Sequence, residues 1–423
     1  MDLSKIERIV LDQQEEMEGK RNDGYVHRRE ESLVDLDSHL AQVIIGVRRS
    51  GKSTLCLNTL WNAKVNFAYV NFDDERWVGM VASELDNVLE VLYKVYGNFE
   101  YLFLDEIQNV DGWHLFVNRM LRKKLHVIIT GSNSKLLSGE LASHLTGRHH
   151  QIELLPFSFF DWCNYYKIST APLTTKNRGL LAAAFDRYMR QGGFPELTSE
   201  KDSTGYIDSL IFSIINQDIK KRFKVRHIDT LRMLANHLLN EAPALLVKET
   251  LQKLFAINSY HTLGNYLSYL TQTYLISFVN KYSPKSRLRM RNAKYYPIDV
   301  AFMNQRKDAF EGKNLGHRLE TIVYLELRRR ARRARQDVYY YSAQDSECDF
   351  VVCDGNDTIA AYQVAYDISA PKTYNREVKG CVSGAKGTNC SNVYLLTYND
   401  SREIEKDGYK IKVMPVWEWL LTE

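Results

Sequence analysis

Gly46-Val47-Arg48-Arg49-Ser50-Gly51-Lys52-Ser53, followed by Thr54-Leu55, is the stretch whose reading decides the fold. It fills every fixed position of the pattern G-x-x-x-x-G-K-[ST]. Gly46 and Gly51 let the backbone turn tightly, so that its N–H groups point inward at phosphate oxygens. Lys52 supplies positive charge, and the Ser53 hydroxyl is placed to ligate Mg²⁺. A helix beginning here adds the partial positive charge of its N-terminus. Gly46, Val47, Arg48, Arg49, Ser50, Gly51, Lys52, Ser53 and Thr54 are therefore the candidate phosphate-binding residues. The flanks agree with this. Ala41–Ile45 reads as a buried parallel strand and Thr54–Leu60 as a helix.

A second signature lies downstream. Tyr101-Leu102-Phe103-Leu104 is an apolar strand that ends in Asp105-Glu106. Ligands of parallel α/β sheets sit at the carboxyl ends of the strands. Asp105 would hold Mg²⁺ together with Ser53, and Glu106 would polarise an attacking water. Leu125–Thr130 reads as a further strand, with Gly131-Ser132-Asn133 at its end. Asn133 is a candidate for touching the γ-phosphate or orienting the water. Arg148 precedes another strand, Gln151–Pro156, and is placed to reach the γ-phosphate of a neighbouring subunit or of its own chain.

The chain has 423 residues, long for a single core, so two or three domains are expected. Its net charge of +4 is too small by itself to argue for nucleic acid, but the basic residues are clustered. The six cysteines lack zinc-site spacing and read as free thiols in a reducing compartment. The N-terminus has no apolar leader, and no apolar run approaches the roughly 20 residues of a membrane span. A cytoplasmic protein without membrane contact is expected. Residues 1 to about 23 read as a charged amphipathic helix, with Tyr25–Glu30 leading into the phosphate loop.

Five strands with these signatures in this order resemble the AAA+ ATPases. More narrowly, Phe103–Trp113, Ile129–Leu137, Leu145-Thr146-Gly147-Arg148, Gln191-Gly192-Gly193-Phe194-Pro195-Glu196 and Trp417–Leu421 resemble one prokaryotic AAA+ family, over nearly the whole chain. The resemblance implies ATP binding and hydrolysis on a five-stranded parallel sheet. It implies next a helical lid, on which Arg190 could reach the phosphates, then a winged helix and an α/β nuclease-like region. The expected divisions are 1–156 for the ATPase core, 157–235 for the lid and connector, 236–305 for the winged helix and 306–423 for the C-terminal region. A homo-oligomer is an open alternative.

Two features of the C-terminal half bear on partners. Lys248–Phe255 and Tyr260–Thr271 have helix-turn-helix proportions. The strands Leu275–Val279 and Lys294–Ile298 flank a basic tip with Lys285, Arg287, Arg289 and Arg291. Such a module meets duplex DNA through its second helix, with His261, Thr262, Asn265 and Tyr266 as the facing residues, or else serves as a protein contact. Further on, Leu315–Arg335 is a helix ending in six arginines within eight residues. Glu320 on it, Glu347 and Asp349 on a later strand, and Gln363-Val364-Ala365 resemble the PD-(D/E)XK nuclease core. In that core the carboxylates hold Mg²⁺ and a lysine assists the water. Here Gln363 and Ala365 stand where Glu-x-Lys belongs, so a nuclease-like fold with little or no cleavage is expected.

Overall fold

The structure is a computed structural model. It describes all residues except 22–23, 132–144, 146, 284–292, 308–313, 344 and 423. The chain forms two compact units, Met1–Leu155 and Pro156–Glu423.

The first unit is a five-stranded sheet. Its strands are β1 (Ala41–Ile45), β2 (Phe67–Asn71), β3 (Tyr101–Asp105), β4 (His126–Gly131) and β5 (His149–Glu153). All pairings are parallel, in the order β2-β3-β4-β1-β5. Every residue of β1 and β3 is buried, as continuous apolar runs require when helices cover both faces. Helix α1 (Leu3–Lys20) places Ile6, Ile9, Val10, Gln13 and Met17 on one buried face. It packs on β2 and on α3 (Leu85–Tyr96). Gln13 completes the sheet edge, donating to the Asn71 carbonyl at 2.9 Å and accepting from the Asn71 N–H at 3.0 Å. Helix α2 (Lys52–Ala63) contributes Leu55, Cys56, Leu57 and Leu60 to a core with Ile44, Tyr69, Phe103 and Ile128. Each leucine, isoleucine or phenylalanine among them stabilises the fold by about 1.5–3 kcal/mol on full burial. Helix α4 (Trp113–Arg122) lies against β4.

The second unit opens with helices α5 (Phe159–Tyr165), α6 (Thr175–Gln191), α7 (Ser203–Ser213) and α8 (Ile228–Glu241). Ser158 and Asp161 form a capping box that starts α5, and Phe159 and Trp162 are buried beneath it. Two helices occupy the stretch expected to be a helix-turn-helix: α9 (Lys248–Leu254) and α10 (Tyr260–Gln272). A nine-stranded mixed sheet follows. Its strands are β6 (Ala244–Leu245), β7 (Ile276–Lys281), β8 (Lys294–Pro297), β9 (Asp337–Ala343), β10 (Ser346–Asp354), β11 (Asp357–Ala365), β12 (Val393–Thr397), β13 (Arg402–Lys406) and β14 (Tyr409–Pro415). The order is β13-β14-β12-β11-β10-β9-β7-β8-β6. Helix α11 (Leu315–Ala334) precedes β9, and α12 (Pro371–Thr388) is the crossover between the parallel strands β11 and β12.

This sheet bears on the expected divisions. β7 pairs in parallel with β9 through Asn280–Tyr339 and Lys281–Tyr340, so the hairpin strands continue into the C-terminal strands. The expected divisions after 235 and 305 fall inside the second unit. The free edge of the β7–β8 hairpin is a ready template for another strand, and β9 takes it.

Candidate functional site

The parallel register brings the site residues to one end of the first sheet. Ile45, the last residue of β1, is level with Gly131 of β4, and Asn71 of β2 is level with Asp105 of β3. Gly46 follows Ile45 at once. A Cβ on Gly46 would lie 2.0 Å from the Leu154 carbonyl oxygen, so only glycine fits that approach. Gly51 caps α2 with φ of 91°, a left-handed conformation that glycine adopts without strain. Lys52 is buried and its Nζ donates to the carbonyls of Val47 at 3.0 Å and Gly46 at 3.3 Å. Arg48 Nη1 lies 4.0 Å from the Asp73 carboxylate at the loop's edge, while Arg49 and Thr54 are exposed.

Asp105 is the meeting point of the site. Its Oδ1 accepts from Ser53 Oγ at 2.9 Å and from Thr130 Oγ1, and its Oδ2 accepts from Tyr69 OH at 3.2 Å. Burial pushes the Asp105 carboxyl up from the usual range and Glu106 adds to that; the Thr130 and Ser53 hydroxyls and the charge of Lys52 oppose it. Glu106 leaves β3 with φ of 52°, in the left-handed region. A non-glycine residue there costs about 1–3 kcal/mol. The turn is held by Thr130 Oγ1, which accepts the Glu106 N–H at 3.1 Å, and by Gln108 Nε2, which donates to the Glu106 carboxylate.

These residues fit a magnesium nucleotide. A hydroxyl and a carboxylate 2.9 Å apart suit an ion that keeps most of its ligands as water and phosphate oxygen. Gly46 lets the loop pack against the Leu154 carbonyl, and the N-terminus of α2 that follows the loop suits a phosphate group. Among the described residues, no group of three or more His, Cys, Asp or Glu side chains could hold a metal ion by itself.

Other expected residues lie elsewhere. Asn133 and Ser132 fall outside the described residues. Arg148 is exposed, and its carbonyl accepts the N–H of Ala41 at the start of β1. The phosphate loop begins after the other end of that five-residue strand, roughly 15 Å away at about 3.3 Å per residue. Arg148 therefore does not join Lys52, Ser53 and Asp105. Arg190 on α6 is exposed and donates to the Asp186 carbonyl at 3.2 Å. In α10, His261 is exposed and Thr262 and Asn265 are half-buried, but Tyr266 is buried and donates to the His227 carbonyl. It faces inward and is removed from the candidate DNA contacts. Lys285, Arg287, Arg289 and Arg291 fall outside the described residues. Of the arginine run, Arg329 is buried and donates to the Pro156 carbonyl at 2.8 Å, Arg330 binds Glu326, and Arg328 donates to Ser277. These three are structural rather than part of a free basic face.

Sequence reasoning missed three contributors. Thr130 and Tyr69 hold Asp105, and only the register of their strands places them there. Arg28 is buried in the lead-in and grips the loop. Its Nη1 donates to the Ser50 carbonyl at 3.1 Å and its Nη2 to Leu155 at 2.8 Å.

The sheet order, the loop after β1 and the acidic end of β3 define the class: a P-loop ATPase fold of the AAA+ type. The sequence model of an AAA domain matches residues 38–163, and that of a domain of unknown function (DUF8612) matches 182–311. The uncharacterized protein MJ1544 of Methanocaldococcus jannaschii is 31% identical over 400 residues, covering 90% of this chain and 88% of its own. An uncharacterized protein of Haemophilus influenzae is 29% identical over 401 residues, covering 91% and 95%. The chain belongs to the AAA-domain family that includes MJ1544. Among solved structures, the Aeropyrum pernix ORC1 protein in complex with DNA matches at 13% identity and a TM-score of 0.31, over 67% of this chain and 92% of its own. Among the described residues no helix is long and apolar enough to cross a membrane.

Proposed function

We propose that the first unit binds ATP with Mg²⁺ and hydrolyses it, and that turnover drives or switches a conformational change in the second unit's binding modules. The observation that carries this is the Ser53–Asp105 hydrogen bond of 2.9 Å beside Lys52. It joins the end of β3 to the start of α2, the two elements that a bound γ-phosphate would engage. Lys52 leaves its loop carbonyls for the β/γ-phosphates, and the loop N–H groups hold the remaining oxygens. Magnesium, when bound, neutralises phosphate charge beside Ser53 and Asp105. Glu106 orients the attacking water from its strained turn. No covalent protein intermediate is needed.

Arg148 supports the part of this reading that involves a second copy. Its exposure, and a backbone that pairs with the start of β1 rather than its end, support a role at the site of a neighbouring subunit in a homo-oligomer. Duplex DNA remains the candidate partner of α10 through His261, Thr262 and Asn265.

ATP turnover measured with and without duplex DNA tests the reading. Lys52→Ala should lose nucleotide binding or turnover. Glu106→Gln should keep binding while turnover falls about 100-fold or more. A Lys52→Ala protein that hydrolyses ATP at the wild-type rate would sink the assignment.

A further inference from the structure

The second unit holds a cleft of ≈ 880 Å³ lined by Glu320, Glu347, Asp349, Gln363 and Glu377 among others. It is the cleft that the nuclease resemblance marks, and that resemblance implies a divalent ion on its carboxylates. The structure puts another cation there. Lys294, on β8, lies 53 residues before Glu347 in the chain. Its Nζ is 2.5 Å from Glu347, 3.5 Å from Glu320 and 3.7 Å from Asp349. The side chain is only 9% exposed.

The donors are built around that ammonium. Asp349 Oδ2 accepts the Val364 N–H at 2.8 Å, which leaves Oδ1 toward Lys294. Glu320 Oε1 accepts from Tyr296 OH at 2.7 Å on its other side. Gln363 is engaged at both ends. Its Oε1 accepts the Asp349 N–H at 3.2 Å and its Nε2 donates to Glu377 at 2.7 Å. A neutral amide so held offers a poor metal ligand, and Ala365 offers none. Magnesium demands oxygens at about 2.0–2.1 Å in octahedral array. The point that Nζ occupies has its oxygens at 2.5–3.7 Å, a spacing for N–H···O bonds. Moving the lysine aside to admit an ion would leave a buried ammonium unpaired, which is strongly unfavourable. The implied metal does not fit these residues.

We propose that Lys294 is the resident cation of this cleft, a tethered ammonium in the place of a divalent ion, and that it keeps the cleft from acting as a metal-dependent nuclease. The linear reading found the lysine missing from position 365. In space a lysine is present, but it fills the cation's position instead of standing beside it.

The full chain, free of nucleotide, is titrated with Mn²⁺ and its bound ions are counted by electron paramagnetic resonance. The wild type and Asp349→Asn should bind alike. Lys294→Ala should gain one site, at least tenfold tighter than any in the wild type, and Lys294→Ala/Asp349→Asn should lose it. Plasmid nicking by the wild type in Mn²⁺ should stay at the Asp349→Asn background. A wild-type Mn²⁺ site or nicking activity that Asp349→Asn removes overturns the proposal. So does a Lys294→Ala protein, folded by circular dichroism, that gains no ion. If Lys294→Ala does not fold, Lys294→Met keeps the stem and takes its place, and the wild-type arms decide by themselves. None of these readouts uses ATP, so failure here leaves the nucleotide reading standing.

Discussion

Replacing Arg28 by alanine should damage the nucleotide site although Arg28 touches no phosphate. Its guanidinium is buried, 6% exposed, and spans two carbonyls 105 residues apart in the chain, Ser50 in the phosphate loop and Leu155 after β5. Each hydrogen bond from a charged donor to a buried acceptor contributes about 1.5–3 kcal/mol. The Arg28 Nε also lies 3.7 Å from the Glu30 carboxylate, itself 4% exposed. Removing one partner of a buried pair costs about 3–5 kcal/mol, because the other charge is left uncompensated. These contributions overlap and do not add, so a net loss of about 3–5 kcal/mol is expected. Urea unfolding measures it, and titration with a fluorescent ATP analogue measures the loop. Arg28→Lys should fall between, since one ammonium cannot reach both carbonyls in fork geometry. Arg28→Ala/Glu30→Gln should recover part of the loss by removing the stranded charge. If Arg28→Ala unfolds within about 0.5 kcal/mol of the wild type and binds nucleotide unchanged, the account of Arg28 as the clamp of the loop is wrong.

Two further outcomes follow from single contacts. Gly46→Ala puts a Cβ 2.0 Å from the Leu154 carbonyl, against backbone that cannot rotate away, so nucleotide affinity should fall by about 100-fold in the same titration; unchanged affinity would mean that the loop shifts freely. Burial pushes Asp299 up to about 6, although the N–H groups of Ala301 and Gly193 pull it down. Its folded pKa exceeds the unfolded value near 3.9, so its contribution to stability is full below about pH 4 and is lost as pH rises through about 6. The difference in melting temperature between wild type and Asp299→Asn, followed from pH 4 to 7, should shift against the wild type across that window; a flat difference refutes the assignment.

Much of the first unit is legible in its residue order. Gly46–Ser53 carries its chemistry in consecutive positions, and the strand before it is buried on both faces, so period and motif agree. Asp105 and Glu106 are legible for the same reason, being adjacent at a strand end. Thr130 and Tyr69 are not, because their roles come from register between strands that are distant in sequence. Arg148 is legible only in part. Its place just before a strand was readable, but which end of the sheet that is depends on the parallel direction of β5 beside β1. Tyr266 was assigned outward from helix proportions alone, yet α10 buries that face.

The sequence by itself determined the phosphate-binding loop, its acidic partner and the α/β class, since each is written in a contiguous run with one backbone period. Tertiary structure alone decided that β7 continues into β9, that Arg28 clamps the loop and that Lys294 stands among Glu320, Glu347 and Asp349. Those facts depend on contacts between residues far apart in the chain. Local propensity does not encode them, because a lysine on a short strand looks the same whether its ammonium meets water or three carboxylates.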